Sequence, residues 1–192
     1  MKLTFINDKT QGTFLLGNDQ HMLSHEGILE GRTINSIVFN FGRDQETIID
    51  GVTYTFPQNT VLPLMANQHF CFTDPSQLMG WQFNREFYCI VDHDAEVGCV
   101  GFLFYGIVNP MFVKLSAEDV ITIKLTEQFC RNDMKVKDRM QYEMLCTLLK
   151  RIIIGVTRLA KDQSPNSDVL TDDKLDIVRR FNLLLECNFN RT

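Results

Sequence analysis

Apolar and polar positions change their rhythm near residue 115. Before it, short stretches alternate at a period of two; after it, apolar residues recur at helical spacing. Phe39 and Phe41 close the apolar run INSIVFNF (34–41). In VTYTF (52–56), Val52, Tyr54 and Phe56 alternate with Thr53 and Thr55, and ETIID with Gly51 stands in front, so a β-hairpin is predicted there. TVLPLM, HFCFT and LMGWQFN follow, separated by the turn signals PQN (57–59), ANQ (66–68) and DPSQ (74–77). Pro63 inside TVLPLM points to an edge position or a bulge, because proline cannot donate to a ladder. Short strands at this density predict a sandwich or barrel. Residues 85–98 break the alternation and read as a short helix or an irregular crossover. GFLFYG (101–106) and MFVKL (111–115) read as the last strands.

The second part is predicted to be helical. Ser116 is placed to cap a helix, with Glu118 and Asp119 in the first turn, where carboxylates suit the positive end of the dipole. Ile121, Leu125 and Phe129 then fall at i, i+4 and i+8. A longer helix is predicted over 137–161. Met140, Met144, Leu148, Ile152 and Val156 form one stripe, widened by Leu145, Leu149, Ile153 and Leu159. Thirteen of the 21 residues from 140 to 160 are apolar. That exceeds the stripe needed to cover one sheet face, so the helix is expected to bury a second face against another chain. KDQSPNSDVL (161–170) reads as a linker. Thr171, with Asp172 and Asp173, opens a last helix whose apolar face is Leu175, Val178, Phe181, Leu185 and Phe189.

Composition narrows the partners. A net charge of −5 over 192 residues argues against nucleic-acid binding by these residues themselves and leaves small ligands and proteins. The six cysteines (71, 89, 99, 130, 146 and 187) form no CxxC pair and sit among apolar neighbours, as expected of a reduced cytoplasmic protein. The sequence holds no signal-peptide pattern and no membrane-span pattern.

Candidate chemistry is sparse. His69 leads a strand, but no HxH or matching Glu accompanies it, so a structural histidine is expected rather than a metal ligand. His21 and His25 are four apart without an HExxH or a cysteine pair. Asp92-His93-Asp94 near Cys89 reads as a turn or a cap rather than a hydrolytic site. Phosphate loops, a GxSxG elbow and paired catalytic carboxylates are absent, so neither an enzyme nor a bound metal or cofactor is expected. The strand-borne aromatics are expected to be mostly core. A barrel of this size holds one small ligand if side chains leave its interior open. Tyr54 and Trp81, each with a stacking face and a donor, are the expected contacts for such a ligand, with His69 at the mouth.

Three runs carry a resemblance: GWQFNREFYCIVDHDAEVGCVGFLFYG (80–106), LLKRIIIGVTRLAKDQ (148–163) and KLDIVRRFNLLLECNF (174–189). Together with the order of elements they resemble the AraC-type bacterial transcription regulators, over about residues 30–192. The resemblance implies an α+β fold: a small cupin-like barrel, of the double-stranded β-helix kind, followed by helices. It implies an effector-sensing barrel over 1–115, dimerisation helices over 116–161, a linker over 162–170, and over 171–192 the lead-in helix of a helix-turn-helix domain that lies outside the sequence. DNA would be bound only through that missing region. A homodimer is expected, with its seam at Met144, Leu148 and Ile152. The alternatives are a metal-dependent cupin enzyme and a stand-alone dimeric binding protein for a small molecule.

Overall fold

The computed structural model describes residues 1–24, 34–66, 68–90, 103–104 and 110–164. The fold is α+β. Nine strands are described: β1 (Lys2–Ile6), β2 (Thr13–Gly17), β3 (Ile34–Asn40), β4 (Gln45–Ile49), β5 (Val52–Phe56), β6 (Thr60–Leu64), β7 (Phe70–Phe72), β8 (Leu78–Asn84) and β9 (Val113–Lys114). Two helices follow, α1 (Ala117–Asp133) and α2 (Gln141–Gln163). The strands form a six-stranded sheet in the order β1-β2-β8-β3-β6-β9 and a three-stranded sheet in the order β5-β4-β7. Every pairing is antiparallel.

The predicted hairpin is β4–β5. Asp50 (φ 50°) and Gly51 (φ 81°) form its two-residue turn between Ile49 and Val52. Positive φ at both centres suits the twist of the strands, and Asp-Gly is a favoured pair for it. Pro63 stands opposite Ile37 on β3. Leu115 N–H donates to the Asn59 carbonyl at 2.8 Å, so odd-numbered residues of β6 aim their backbone groups towards β9. The described β9 pairs only with Thr60 and Val61, so Pro63 faces a stretch that no described strand pairs with and removes none of the described ladder bonds.

The large sheet is buried on both sides, and side-chain parity sorts its residues between two cores. Val38, Leu62, Leu64 and Leu78 meet Ile49, Phe56, Phe70 and Phe72 of the small sheet. Phe14, Leu16, Ile37, Phe39, Val61, Met79, Trp81 and Phe83 meet the helices on the other side. There α1 contributes Ile123 and Cys130, and α2 contributes Leu145, Leu149, Ile152, Ile153, Val156 and Ala160. An aromatic chain anchors the start of α2. Phe14 stacks on Phe87 at 5.0 Å, Phe87 meets Tyr142 edge-on at 5.5 Å, and the Tyr142 hydroxyl donates to the Phe87 carbonyl at 2.9 Å.

Three features differ from the pattern read along the chain. Leu103 and Phe104, inside GFLFYG, are helical and buried rather than extended. Short apolar runs fit a buried helix as well as a strand, and Phe104 packs edge-on against Phe83 of β8 at 6.1 Å. Ser116 does cap α1: its hydroxyl accepts from Asp119 N–H at 3.2 Å, and the Asp119 carboxylate accepts from Ser116 N–H at 2.9 Å. The buried face of α1, however, is Ile123, Thr126 and Cys130, while Ile121, Leu125 and Phe129 point outward. The second helix begins at Gln141 rather than 137. The lead-in helix and most of the linker lie outside the described residues.

Candidate functional site

Two places carry the functional question: the space between the sheets and the outer face of the helix pair. The first is filled by apolar side chains and closed by a turn. Leu23 N–H donates to the Asp19 carbonyl at 2.9 Å. The Asp19 carboxylate accepts from the backbone N–H groups of His21 (3.1 Å) and Met22 (3.3 Å). The turn leaves the end of β2 and reaches β7, where Ser24 bridges Cys71. It buries Met22 and places Leu23 in the core between the sheets.

Behind the turn lies Gly80, in the middle of β8. A Cβ there would sit 2.6 Å from Leu23 Cδ2 and 3.1 Å from Met22 Cε, so a side chain at that point would press on the ends of both turn side chains. Two strand positions on, buried Gln82 donates through Nε2 to the Met22 carbonyl (2.7 Å) and to Ser36 Oγ (3.0 Å). Outside the turn a cleft of about 430 Å3 runs between it and β7.

Of the three expected ligand contacts, Tyr54 alone adjoins this space. Tyr54 is half-buried at the edge of the core between the sheets, its ring 5.9 Å from Phe112. Trp81 faces the helices: it is fully buried, 5.8 Å from Phe14, and its indole Nε1 finds no hydrogen-bond partner among the described residues. His69 is exposed beside the Asp50 turn, its backbone N–H donating to Asp50 Oδ1 at 2.9 Å. Periodicity places Tyr54 and Trp81 on strands; only the assembled layers decide which face of a strand looks inward. Leu23, Gly80 and Gln82, which sequence reasoning passed over, meet instead. Their one local signal is a glycine inside an otherwise apolar strand.

The outer face of the helix pair carries several exposed apolar side chains among its polar ones. Ile121 (59% exposed), Leu125 (50%) and Phe129 (60%) line α1, and Met140 (60%) and Met144 (48%) lie at the start of α2. A groove of about 460 Å3 between the helices is floored by Ile123, Thr126, Ile152 and Val156 and edged by Lys150, Arg151 and Arg158. Of the three residues expected at a dimer seam, Met144 is exposed. Leu148 is partly buried against the core and Ile152 lies within it, 4% exposed. Ile152 packs inward because the core-facing stripe of α2 is centred on Leu145, Leu149 and Val156, to whose side it belongs.

Thiol chemistry is muted. Burial pushes the Cys146 thiol up to about 11 and the Cys130 thiol well above its usual range, the reverse of an activated nucleophile. Cys71 is exposed despite its apolar sequence neighbours. Among the described residues, no group of three or more His, Cys, Asp or Glu is arranged to hold a metal ion. His25 and the Asp92-His93-Asp94 run lie outside the described residues. Among the described residues, no helix is long and apolar enough to cross a membrane. The chain matches no family model and no curated protein.

Proposed function

We propose that this chain is the effector-sensing and dimerisation part of an AraC-type transcription regulator, acting without enzymatic activity in the cytoplasm. In this reading the two facing sheets are a cupin-like barrel. The helix pair outside it joins two copies, and DNA is contacted by a helix-turn-helix region beyond residue 192. The observation that carries the reading is the set of exposed large apolar side chains on the helix pair, Ile121, Leu125 and Phe129 on α1 and Met140 and Met144 at the start of α2. Large apolar side chains grouped on one exposed face mark an association surface. A two-fold pairing of this face with its copy covers it without any further component. The seam accordingly moves outward from Ile152 to these residues, with Met144 retained. The sequence runs quoted above are the second support.

Sedimentation at micromolar concentration is expected to show a dimer; a strict monomer would overturn the dimerisation role. A titration on promoter DNA compares residues 1–192 with the natural reading frame that contains them. Specific binding by the longer chain alone is expected. Tight specific binding by residues 1–192, or none by the longer chain, would overturn the division of labour.

A further inference from the structure

Among the described residues, nine are buried in the core between the sheets; eight stand on strands and the ninth is Leu23, delivered by a turn. Strand β8 carries no side chain at Gly80, where an added Cβ would crowd the end of Leu23 at 2.6 Å. Gln82, buried beneath, spends its amide N–H groups on the carbonyl of the same turn and on Ser36. A branched aliphatic group and a carbonyl oxygen thus enter side by side between the sheets, held by one apolar hollow and one donor.

We infer that this hollow is a binding site for a small neutral molecule bearing a branched aliphatic group and a carbonyl, and that the turn over residues 19–23 is its resident occupant. The ligand's aliphatic group takes the place of the Leu23 side chain. Its carbonyl takes the Gln82 N–H that Met22 now holds. The ligand is neutral because the buried polar side chains on these strands, among them Gln82, Ser36 and Thr47, are uncharged, and an unpaired charge is costly to bury. The cleft between the turn and β7, lined in part by Gln20, His21, Ser24, Phe70 and Phe72, is the approach. Binding moves the turn outward, so occupancy is reported at the protein surface. This inference rests on the sensing role proposed above and gives that role a place and a ligand class.

The test uses N-(3-methylbutyl)acetamide, which reproduces the atoms from the Met22 carbonyl to the end of the Leu23 side chain. Leu23→Ala is expected to bind it about tenfold more tightly than the natural chain, because no resident side chain has to leave. The Gln82 side-chain amide signals should shift on binding, and adding Gln82→Leu should abolish the gain. Unchanged affinity, or shifts confined to the helix groove, would overturn the site. Should Leu23→Ala fail to fold, the natural chain serves. Saturating probe is expected to speed hydrogen exchange at Leu23 N–H while β3 and β8 stay protected, and unaltered exchange would overturn the site. The two readings separate in the same samples. A dimer that takes up no probe overturns the site alone. Probe uptake with no effect on sedimentation or on DNA binding by the longer chain supports the site and overturns the sensing role.

Discussion

The side-chain amide of Gln163 meets the backbone of Lys114 edge to edge. Lys114 N–H donates to Gln163 Oε1 at 2.8 Å, and Gln163 Nε2 donates to the Lys114 carbonyl at 2.8 Å. Val113 pairs inward with Val61, so Lys114 presents its backbone groups to the open edge of the large sheet. The last residue of α2 therefore stands in for a strand and occupies that edge. Replacing Gln163 with Leu removes both bonds at an exposed site. The expected loss is about 1–2 kcal/mol of stability, with faster hydrogen exchange at Lys114 N–H. Denaturant unfolding and exchange measurements check it; unchanged exchange at Lys114 would show that the pair is not formed in solution.

Phe129→Glu and Met144→Glu are expected to convert a micromolar dimer to monomer while leaving the fold intact, since both side chains are exposed. Ile152→Ala acts on the core instead and should lower stability by about 2–4 kcal/mol. Sedimentation paired with thermal unfolding distinguishes the two classes. Dissociation by Ile152→Ala at unchanged thermal stability would return the seam to the inner stripe.

Gly155 lies in the middle of α2, and an added Cβ there would meet nothing within 4 Å. Glycine costs a helix interior about 1 kcal/mol relative to alanine. Gly155→Ala should therefore raise the thermal midpoint of a monomeric background such as Phe129→Glu. A lowered midpoint there would show that the position is crowded in solution.

Trp81 is the single tryptophan, and its indole N–H lacks a partner among the described residues. Trp81→Phe therefore removes a buried donor along with part of the ring. The expected cost is below the roughly 3–5 kcal/mol of a full truncation to Ala. Equal losses for the two variants, read from urea midpoints, would mean that the N–H finds a partner in solution.

Alkylation by iodoacetamide at pH 8 should modify Cys71 well before Cys146. Cys71 is exposed, whereas Cys146 is partly buried and burial holds its thiol up to about 11. A raised folded-state value favours the fold at low pH. The contribution from Cys146 is fully present below the ordinary thiol value of 9.0 and is lost as pH rises towards 11. Mass spectrometry over time gives the order, and simultaneous labelling would contradict it.

Where a residue type has one local solution, the sequence was readable. Asp50-Gly51 demanded a tight hairpin turn, Ser116 with Asp119 a helix cap, and Pro63 a position that no described strand pairs with on its outer side. What stayed hidden depends on which of two faces meets the core. Along α1 the most apolar face, Ile121–Leu125–Phe129, lies outside, and the mixed face with Thr126 and Cys130 lies inside. Tyr54 and Trp81 were chosen for their chemistry, yet strand parity and layer order send them to different cores. The turn holding Leu23 has no periodicity at all, and its meaning comes from Gly80, 57 positions further along the chain.

Strands β3 and β8 carry two linings back to back. Val38 belongs to one and its neighbour Phe39 to the other; Gln82 looks towards the turn while Trp81 and Phe83 press on the helix side. Interiors packed at crystal-like density resist compression, so a fraction of an ångström gained on one side of such a partition is taken from the other. A molecule bulkier than the Leu23 side chain it replaced would thereby press, through the same partition, on the core that Ile153 and Val156 share with Trp81 and Phe83. The helix pair would feel its arrival through a shared wall, with no hinge required.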